Sequence, residues 1–555
     1  MIYAIVISLV LFFSNLDASA QTQPKLIQIV KPELERFMDS MKSQPNPPYY
    51  ISYYFADNRN TRISSTDGVL KSKYIDSSRT LDIQVRVGDY KFDNTHIIRG
   101  SGFDFTPSIG RLELPFNDDE QTLRNILWLA TDKAYKNATE RYEKALTNAK
   151  VKVKEDDTSA DFSFDKPVKI YGKGSLLTSN PDKIIPILNR LSKKFEPYKW
   201  IYSANVTFMG DSRKKILITS EGTETESYEN YFYIFISAST KADDGMDIPL
   251  YKSYFAYNPD SLPSEEVIAK DIDILITQID GLRNAPLAET FTGPAMLSGE
   301  ASGVFFHEIF GHRVEGFREK DPSASQTFKK MVGEKILPSF IDVVFDPTRK
   351  YLDHTSLAGF YDVDDEGVPA QRVDVVQDGI FKNFLMSRTP IEGFDHSNGH
   401  GRKAPGYTPV TRQSNLIVLA DSTMPVENMK NKLREIAKEQ GKEYGLYFTV
   451  VEGGFTFIDR TIPNAFNVMP LVVYKIYVDG RPDELVRGVD LIGTPLTTFS
   501  NIVAAGNDMA TFNGVCGAES GGVPVSASSP TLLVSRIEVQ KKYKSQSKPP
   551  ILPAP

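Results

Sequence analysis

The sequence lacks three features that would each indicate a class of protein: paired cysteines, a net positive charge and a long apolar run. Its 555 residues include one cysteine, Cys516, so no internal disulfide can form. The formal net charge is -7 and no arginine-rich run offsets it, which argues against nucleic acid as a partner. The apolar run near the N-terminus, IYAIVISLVLFF, has twelve residues and is short for a membrane span.

The first twenty residues have the pattern of a signal peptide. The apolar run is followed by Ala18-Ser19-Ala20, a small-x-small signal-peptidase site, so the expected mature chain begins at Gln21. No lysine or arginine precedes the run, which leaves an uncleaved N-terminal anchor as the alternative. No later stretch is long and apolar enough to span a bilayer. We therefore expect a secreted or periplasmic protein without stable membrane insertion after cleavage.

Length and patterning predict two large domains in an α+β protein. Residues 25–283 combine helical segments, the clearest between 121 and 151, with alternating strand-like runs. They indicate an α/β domain with mainly antiparallel strands. Residues 291–540 are β-rich, with Asp-Gly turns at 378–379 and 479–480 and one motif-bearing helix near the start. Residues 541–555 form a proline-rich tail that we expect to be disordered.

The motif FFHEIFGHRVEG, at residues 305–316, resembles the zinc-protease motif H-E-x-x-H with one residue added. His307 and His312 are five positions apart, and on an ideal α-helix they would diverge by about 140°. A π-bulge would bring them nearly onto one face, and Gly311 would ease that distortion. We expect Ser298 to cap this helix and Gly316 to end it. The alternative is that the histidines are hydrogen-bonded core residues.

A catalytic zinc needs three protein ligands and an open position for water, so one ligand remains to be found. Cys516 is the first choice, because a thiolate is a good zinc ligand and its surroundings, FNGVCGAESGGVPVS, read as a glycine-rich loop. A buried core cysteine is the alternative reading of this residue. The other candidates for the third ligand are Glu315, Glu319, His354, His396 and His400.

Several motifs in the second domain, in this order, resemble the TldD/PmbA family of metallopeptidases and its TldD-like, active-site-bearing branch. They are HEIFGHRVEG at 307–316, YDVDDEGVPAQRVDVVQDGIFKNFLM at 361–386, NGHGR at 398–402, TRQSN at 411–415, EGGF at 452–455, VRGVDLIG at 486–493, GNDMA at 506–510 and GVCG at 514–517. The first domain matches more loosely, best at ILITSEGTETES.

The resemblance implies that His307, His312 and Cys516 bind Zn²⁺ and that Glu308 is the catalytic glutamate. It also implies a dimer, either of identical chains or with a PmbA-like paralogue, around a cavity that admits unfolded peptides as an added strand. Two features depart from the family. The Lys and Gln that commonly follow the Cys-Gly pair are replaced in the stretch from Ala518 to Gly522, and the signal peptide indicates an exported variant.

The sequence thus predicts an exported zinc metallopeptidase that hydrolyses unfolded polypeptides or short peptides, with Glu308 as general base. Two alternatives remain. One is a zinc-dependent amidase acting on non-protein amides. The other is a non-catalytic partner or scaffold subunit stabilised by zinc, a reading that the presence of Glu308 disfavours.

Overall fold

The structure of the chain is a computed structural model. It describes residues 23–98, 111–151, 157–321, 324, 326–456, 466–493, 495–542 and 552. The expected signal peptide lies outside the described residues, as does the proline-rich tail apart from residues 541, 542 and 552. Among the described residues, no helix is both long enough and apolar enough to cross a membrane.

The N-terminal part of the chain is a seven-stranded sheet with four helices. The helices are α1 Lys25–Met41, α2 Glu120–Val151, α3 Pro181–Lys193 and α4 Glu265–Asn284. The strands are β1 Pro48–Thr66, β2 Val69–Val87, β3 Leu112–Leu114, β4 Lys169–Tyr171, β5 Ser203–Thr219, β6 Glu224–Lys241 and β7 Asp247–Ala256. Their order is β3-β2-β1-β5-β6-β4 with β7 also on β6, and all pairs are antiparallel except β4–β6.

One face of this sheet carries all four helices. Alternate residues of β1, such as Phe55 and Ile63, point to that face and bury against the helices. On the opposite face, Tyr54 donates a hydrogen bond to Asp365 of the C-terminal part at 3.0 Å, and Lys215 pairs with the same carboxylate at 2.9 Å. The face of the first sheet without helices therefore contacts the C-terminal part of the chain at Asp365, a turn residue.

The C-terminal part is built on a twelve-stranded mixed sheet, ordered β13-β12-β9-β16-β23-β21-β19-β18-β8, with β17, β20 and β22 attached beside it. Its strands are β8 Phe291–Leu297, β9 Ile341–Phe345, β12 Val373–Gln377, β13 Ile380–Phe381, β16 Asn415–Ala420, β17 Thr423–Met424, β18 Tyr444–Thr456, β19 Phe466–Tyr477, β20 Glu484–Val486, β21 Val489–Gly493, β22 Ile502–Ala518 and β23 Gly521–Lys541. Two small hairpins pair β10 Tyr351–Leu352 with β11 Thr355–Ser356, and β14 Gly401–Arg402 with β15 Val410–Thr411.

Helices α5 Gly299–Ile309 and α6 Val426–Glu439 cover opposite faces of this sheet, and a short α7 spans Pro495–Ser500. Ala295 and Leu297 of β8 pack with α5, whereas Met296 between them packs with α6. Both faces of β8 are therefore buried. The α+β class and the antiparallel N-terminal sheet, both predicted from the sequence, are confirmed.

Candidate metal centre

The motif helix differs from the sequence-based expectation. Ser298 does cap α5, because its Oγ accepts a hydrogen bond from the Ala301 amide at 3.3 Å. The helix ends at Ile309, however, and residues Gly311–Arg313 form a 3₁₀ turn. The expected π-bulge and the expected end at Gly316 are both wrong. The chain instead leaves the helix and tightens, and this tighter turn redirects His312 towards His307.

Gly311 is needed in this turn because a neighbouring side chain occupies the space of a β-carbon. A Cβ at this position would lie 1.9 Å from Oε1 of Gln413, a fully buried residue. The Gln413 amide in turn donates a hydrogen bond to the backbone carbonyl of His307 at 3.2 Å. The glycine therefore lets Gln413 reach the last turn of α5.

The structure brings His307, His312 and Cys516 together. One potential ligand atom from each lies within 4.8 Å of the others, and all three residues are buried. The Cys516 Sγ is 3.5 Å from the His312 Nε2, and the two imidazole rings are 5.0 Å apart, nearly perpendicular. Among the described residues this is the one cluster of its kind.

Cys516 does not lie in the loop that its glycine neighbours suggested. It is a residue of β22 and pairs with Val523 of β23. Burial would raise the pKa of its thiol, but His312 and His307 more than offset this and hold it well below the ordinary value. The site therefore favours a thiolate, the form in which cysteine binds metal.

Glu315 orients His312 rather than joining the cluster. Its Oε2 lies 3.2 Å from Nδ1 of His312, so the opposite ring nitrogen, Nε2, faces Cys516. Glu315 has no solvent exposure, and burial works against its charge. Arg318, His312 and Arg412 nevertheless lower its pKa to about 2. The carboxylate is thus ionised and held in place.

The remaining candidates for the third ligand lie elsewhere. Glu319 is outside the three-residue cluster, and His354 lines a different cavity, between the two domains. His396 is exposed. His400 is fully buried, with one ring nitrogen 3.0 Å from the Ser414 hydroxyl and the other 3.1 Å from Asn398 oxygens.

Sequence reasoning did not assign a role to Arg412, a fully buried residue beside the cluster. Its guanidinium donates hydrogen bonds to the Cys516 carbonyl at 2.6 Å and to the Ser520 hydroxyl at 2.8 Å. Its Nε faces Oε1 of Glu315 at 3.6 Å. Arg412 thus links the histidine turn to the strand that carries the cysteine. The sequence feature that could have indicated a role for Arg412 is TRQSN, a polar run within the β-rich part of the chain.

A cavity of about 440 Å³ opens over the cluster. It is lined by His307, Glu308 and His312, by residues 452–454 of β18 and 514–518 of β22, and by Glu519, which follows β22. After residue 448, the described strand that pairs with β18 is β19 alone. Beyond residue 506, β22 is paired only with β23. Each therefore has a backbone edge beside the cavity that pairs with no further described strand, although on β18 the Tyr251 hydroxyl donates a hydrogen bond to the Val451 carbonyl at 2.7 Å.

Cys516 and His312 are spaced as two ligands of one zinc ion would be, and His307 offers a third donor within 4.8 Å of both. Zn–S and Zn–N bonds of about 2.3 and 2.05 Å at a tetrahedral angle place S and N about 3.6 Å apart. The Cys516 Sγ and His312 Nε2 are 3.5 Å apart, which matches this separation. These three residues would hold the ion and would leave a fourth position for water on the side of the cavity, as catalytic rather than structural zinc sites do.

The chain is similar to known metalloproteases. Residues 290–541 match the family model described as the PmbA/TldA metallopeptidase C-terminal domain. A metalloprotease of Archaeoglobus fulgidus is 29% identical over 238 residues, 43% of this chain and 51% of that protein. A zinc metalloprotease TldD homolog of Saccharolobus solfataricus is 25% identical over 291 residues, 52% of this chain and 60% of that protein. The chain spans about half the length of the curated relatives it matches.

The overall fold also has a solved counterpart. TldE from Thermococcus kodakarensis superposes with a TM-score of 0.58 at 13% identity, covering 92% of this chain and all of that one. At this identity the likeness concerns the fold alone. The family model and the names of the relatives together support, at the level of the family, a metallopeptidase of the PmbA/TldD type.

Proposed function

We propose that this chain is an exported, TldD-like zinc metallopeptidase that hydrolyses peptide bonds in unfolded polypeptides or short peptides. The observation that carries the proposal is the cluster of His307, His312 and Cys516, with Glu308 beside it on the floor of an open cavity. A structural zinc site or a scaffold subunit would not require that carboxylate or the open side.

The protein residues divide the chemistry between them. His307, His312 and Cys516 would hold the zinc, which supplies Lewis acidity to a bound water and to the substrate carbonyl. The Glu308 carboxylate accepts the proton of the attacking water and returns it to the leaving amine. Cys516, held as a thiolate, brings a negative charge, so we expect a weaker Lewis acid than three neutral histidines would give.

The shape of the cavity supports an extended peptide as the substrate. The edges of β18 and β22 beside the cavity can each pair with a peptide backbone, and pairing of this kind requires an unfolded chain. A cavity of about 440 Å³ accommodates a few side chains and excludes a folded domain. Amides outside proteins, the alternative substrates, would not use both edges.

Export and assembly are further parts of the proposal. The pattern in residues 1–20 supports cleavage before Gln21 and a secreted or periplasmic location. Sequencing the N-terminus of protein recovered from outside the cytoplasm tests this, and a retained Met1 would contradict it. Mass photometry, alone and with a PmbA-like paralogue, tests whether the chain forms a homodimer or a heterodimer. A monomer under both conditions would contradict assembly.

Glu308→Gln tests the proposed reaction. We expect zinc to remain bound while cleavage of fluorogenic unfolded peptides falls at least about 100-fold, the usual contribution of general-base catalysis. Glu439→Gln removes the same charge from an exposed position on α6 and is the matched control. Full activity in the zinc-loaded Glu308→Gln variant would refute the assigned role of Glu308, and hydrolysis of amides but not of peptides would favour the amidase.

A further inference from the structure

A second cavity, of about 270 Å³, adjoins the first. Its lining includes Lys252 of β7, Asp271 of α4 and Glu300 of α5, so it lies where the two domains meet. Phe512 of β22 lines both cavities. The two cavities therefore meet at Phe512, and the second has charged walls.

One face of α5 forms the floor of both cavities. Glu300 lies in the second cavity, whereas Val304 and Glu308 lie in the first. Positions four apart share a helix face, so these three side chains form one stripe. Eight residues at 1.5 Å each separate Glu300 from Glu308 by about 12 Å along the axis. An extended peptide covers that distance in three to four residues.

The strands beside the cleft continue along the same path. Val450 of β18 lines the second cavity, and residues 452–454 of that strand line the first. On β22, residues 511–513 line the second cavity and 514–518 the first. A peptide paired with either edge over the metal cluster would thus be led directly to Glu300.

The Glu300 carboxylate has no partner of its own. Among the residues that the structure describes, it forms no hydrogen bond and no ion pair, although it is mostly enclosed. Burial raises its pKa, and the charge of Lys252 offsets only part of this. Lys252 itself is exposed, and Asp271 already accepts a hydrogen bond from Tyr254. A cation entering the pocket would supply the partner that Glu300 lacks.

We propose that Glu300 is a specificity-determining residue. It binds a cationic nitrogen of the substrate, three to four residues from the scissile bond. Both a lysine or arginine side chain and a free amino terminus at that distance have this chemistry. The inference rests on the proposed peptidase function and adds a substrate class to it.

Short fluorogenic peptides that differ at one position test the proposal. A single lysine is moved through an otherwise neutral, N-acetylated sequence and compared with norleucine at each position. A second series carries a free amino terminus at the same distances. We expect kcat/KM to rise about tenfold for a cation three to four residues from the cleaved bond, as for a charged hydrogen bond. Glu300→Gln should abolish this ratio, and Glu300→Lys should favour glutamate there instead.

The control and a binding measurement separate the possible results. Glu439→Gln should keep the wild-type ratio, and whichever peptide series shows it identifies the source of the cation. The proposal is overturned if the wild type shows no higher kcat/KM for the cationic peptide, or if Glu300→Gln keeps that preference. If the wild type cleaves no peptide, the proposed peptidase function is wrong. The role of Glu300 is then tested by fluorescence anisotropy, which measures how tightly Glu308→Gln binds the lysine and norleucine peptides. Tighter binding of the lysine peptide that depends on Glu300 supports the inference, and equal binding of both peptides overturns it.

Discussion

Replacing Gly303 with alanine should weaken the metal site without touching a ligand. Gly303 lies in the middle of α5, four residues before His307, where the helix rests directly on β23. A β-carbon there would lie 2.5 Å from the carbonyl oxygen of Ala527. Ordinary van der Waals contact begins near 3.4 Å, so helix and strand must separate by about 0.9 Å.

The new Cβ is fixed to the backbone of α5 and the Ala527 carbonyl belongs to the backbone of β23, so no side-chain rotation can relieve the overlap. Overpacking of this kind costs about 1–3 kcal/mol of unfolding free energy. A zinc site tolerates errors of only about 0.2 Å in its ligand distances. Because His307 moves with the helix, we expect zinc affinity to fall at least about tenfold, as when the groups that support a metal ligand are disturbed.

The assay is a competition titration with a zinc chelator, alongside thermal unfolding of the metal-free protein. Gly517→Ala is the matched control, since it adds the same methyl group beside Cys516 where no atom lies within 4 Å. We expect this control to leave zinc affinity and melting temperature near the wild-type values. Wild-type zinc affinity in Gly303→Ala would refute the argument that backbone contact between α5 and β23 positions His307.

Three further outcomes follow from the structure. Gly311→Ala should be destabilised by overlap with Gln413, and adding Gln413→Ala should recover part of the loss, with about 0.5–3 kcal/mol of coupling in denaturant titrations; additive effects would contradict the overlap. Arg412→Lys should weaken zinc binding about 10–100-fold in the chelator assay by releasing the Cys516 carbonyl, and unchanged affinity would contradict this. Burial lowers the pKa of His400 to about 3, whereas in the unfolded chain it is near 6.5. The free energy of unfolding should therefore fall as the pH drops below 6.5, by up to about 1.4 kcal/mol per pH unit. Urea titrations at several pH values should show a weaker pH dependence of this free energy in His400→Asn.

The parts of the site that depend on local sequence patterns could be predicted from the sequence. His307 and Glu308 were predictable because an apolar helix with a cap residue before it is a local pattern, and Ser298 does cap it. The helical N-terminal segments followed from hydrophobic periodicity for the same reason. Cys516 was the first choice for the third ligand because a thiolate is a good zinc ligand and this cysteine is the only one in the sequence.

The errors and omissions concern contacts between distant residues. Glycines around Cys516 indicated a loop, but pairing with β23 holds the segment as a strand, and such pairing overrides local preference. The 3₁₀ turn that contains His312 depends on the position of Gln413, about a hundred residues away. Nothing local distinguishes Arg412 from an exposed arginine, because its partners come from three other segments.

We propose that His307 of α5, His312 of the following 3₁₀ turn and Cys516 of the remote strand β22 hold a single zinc ion. Elemental mass spectrometry of purified residues 21–555, beside Cys516→Ala and His312→Ala, tests it most directly. We expect close to one zinc per chain in the wild type and loss of zinc in both variants. Zinc retained in Cys516→Ala would remove the cysteine from the ligand set, and a wild type that binds no zinc when supplied with it would contradict the peptidase altogether.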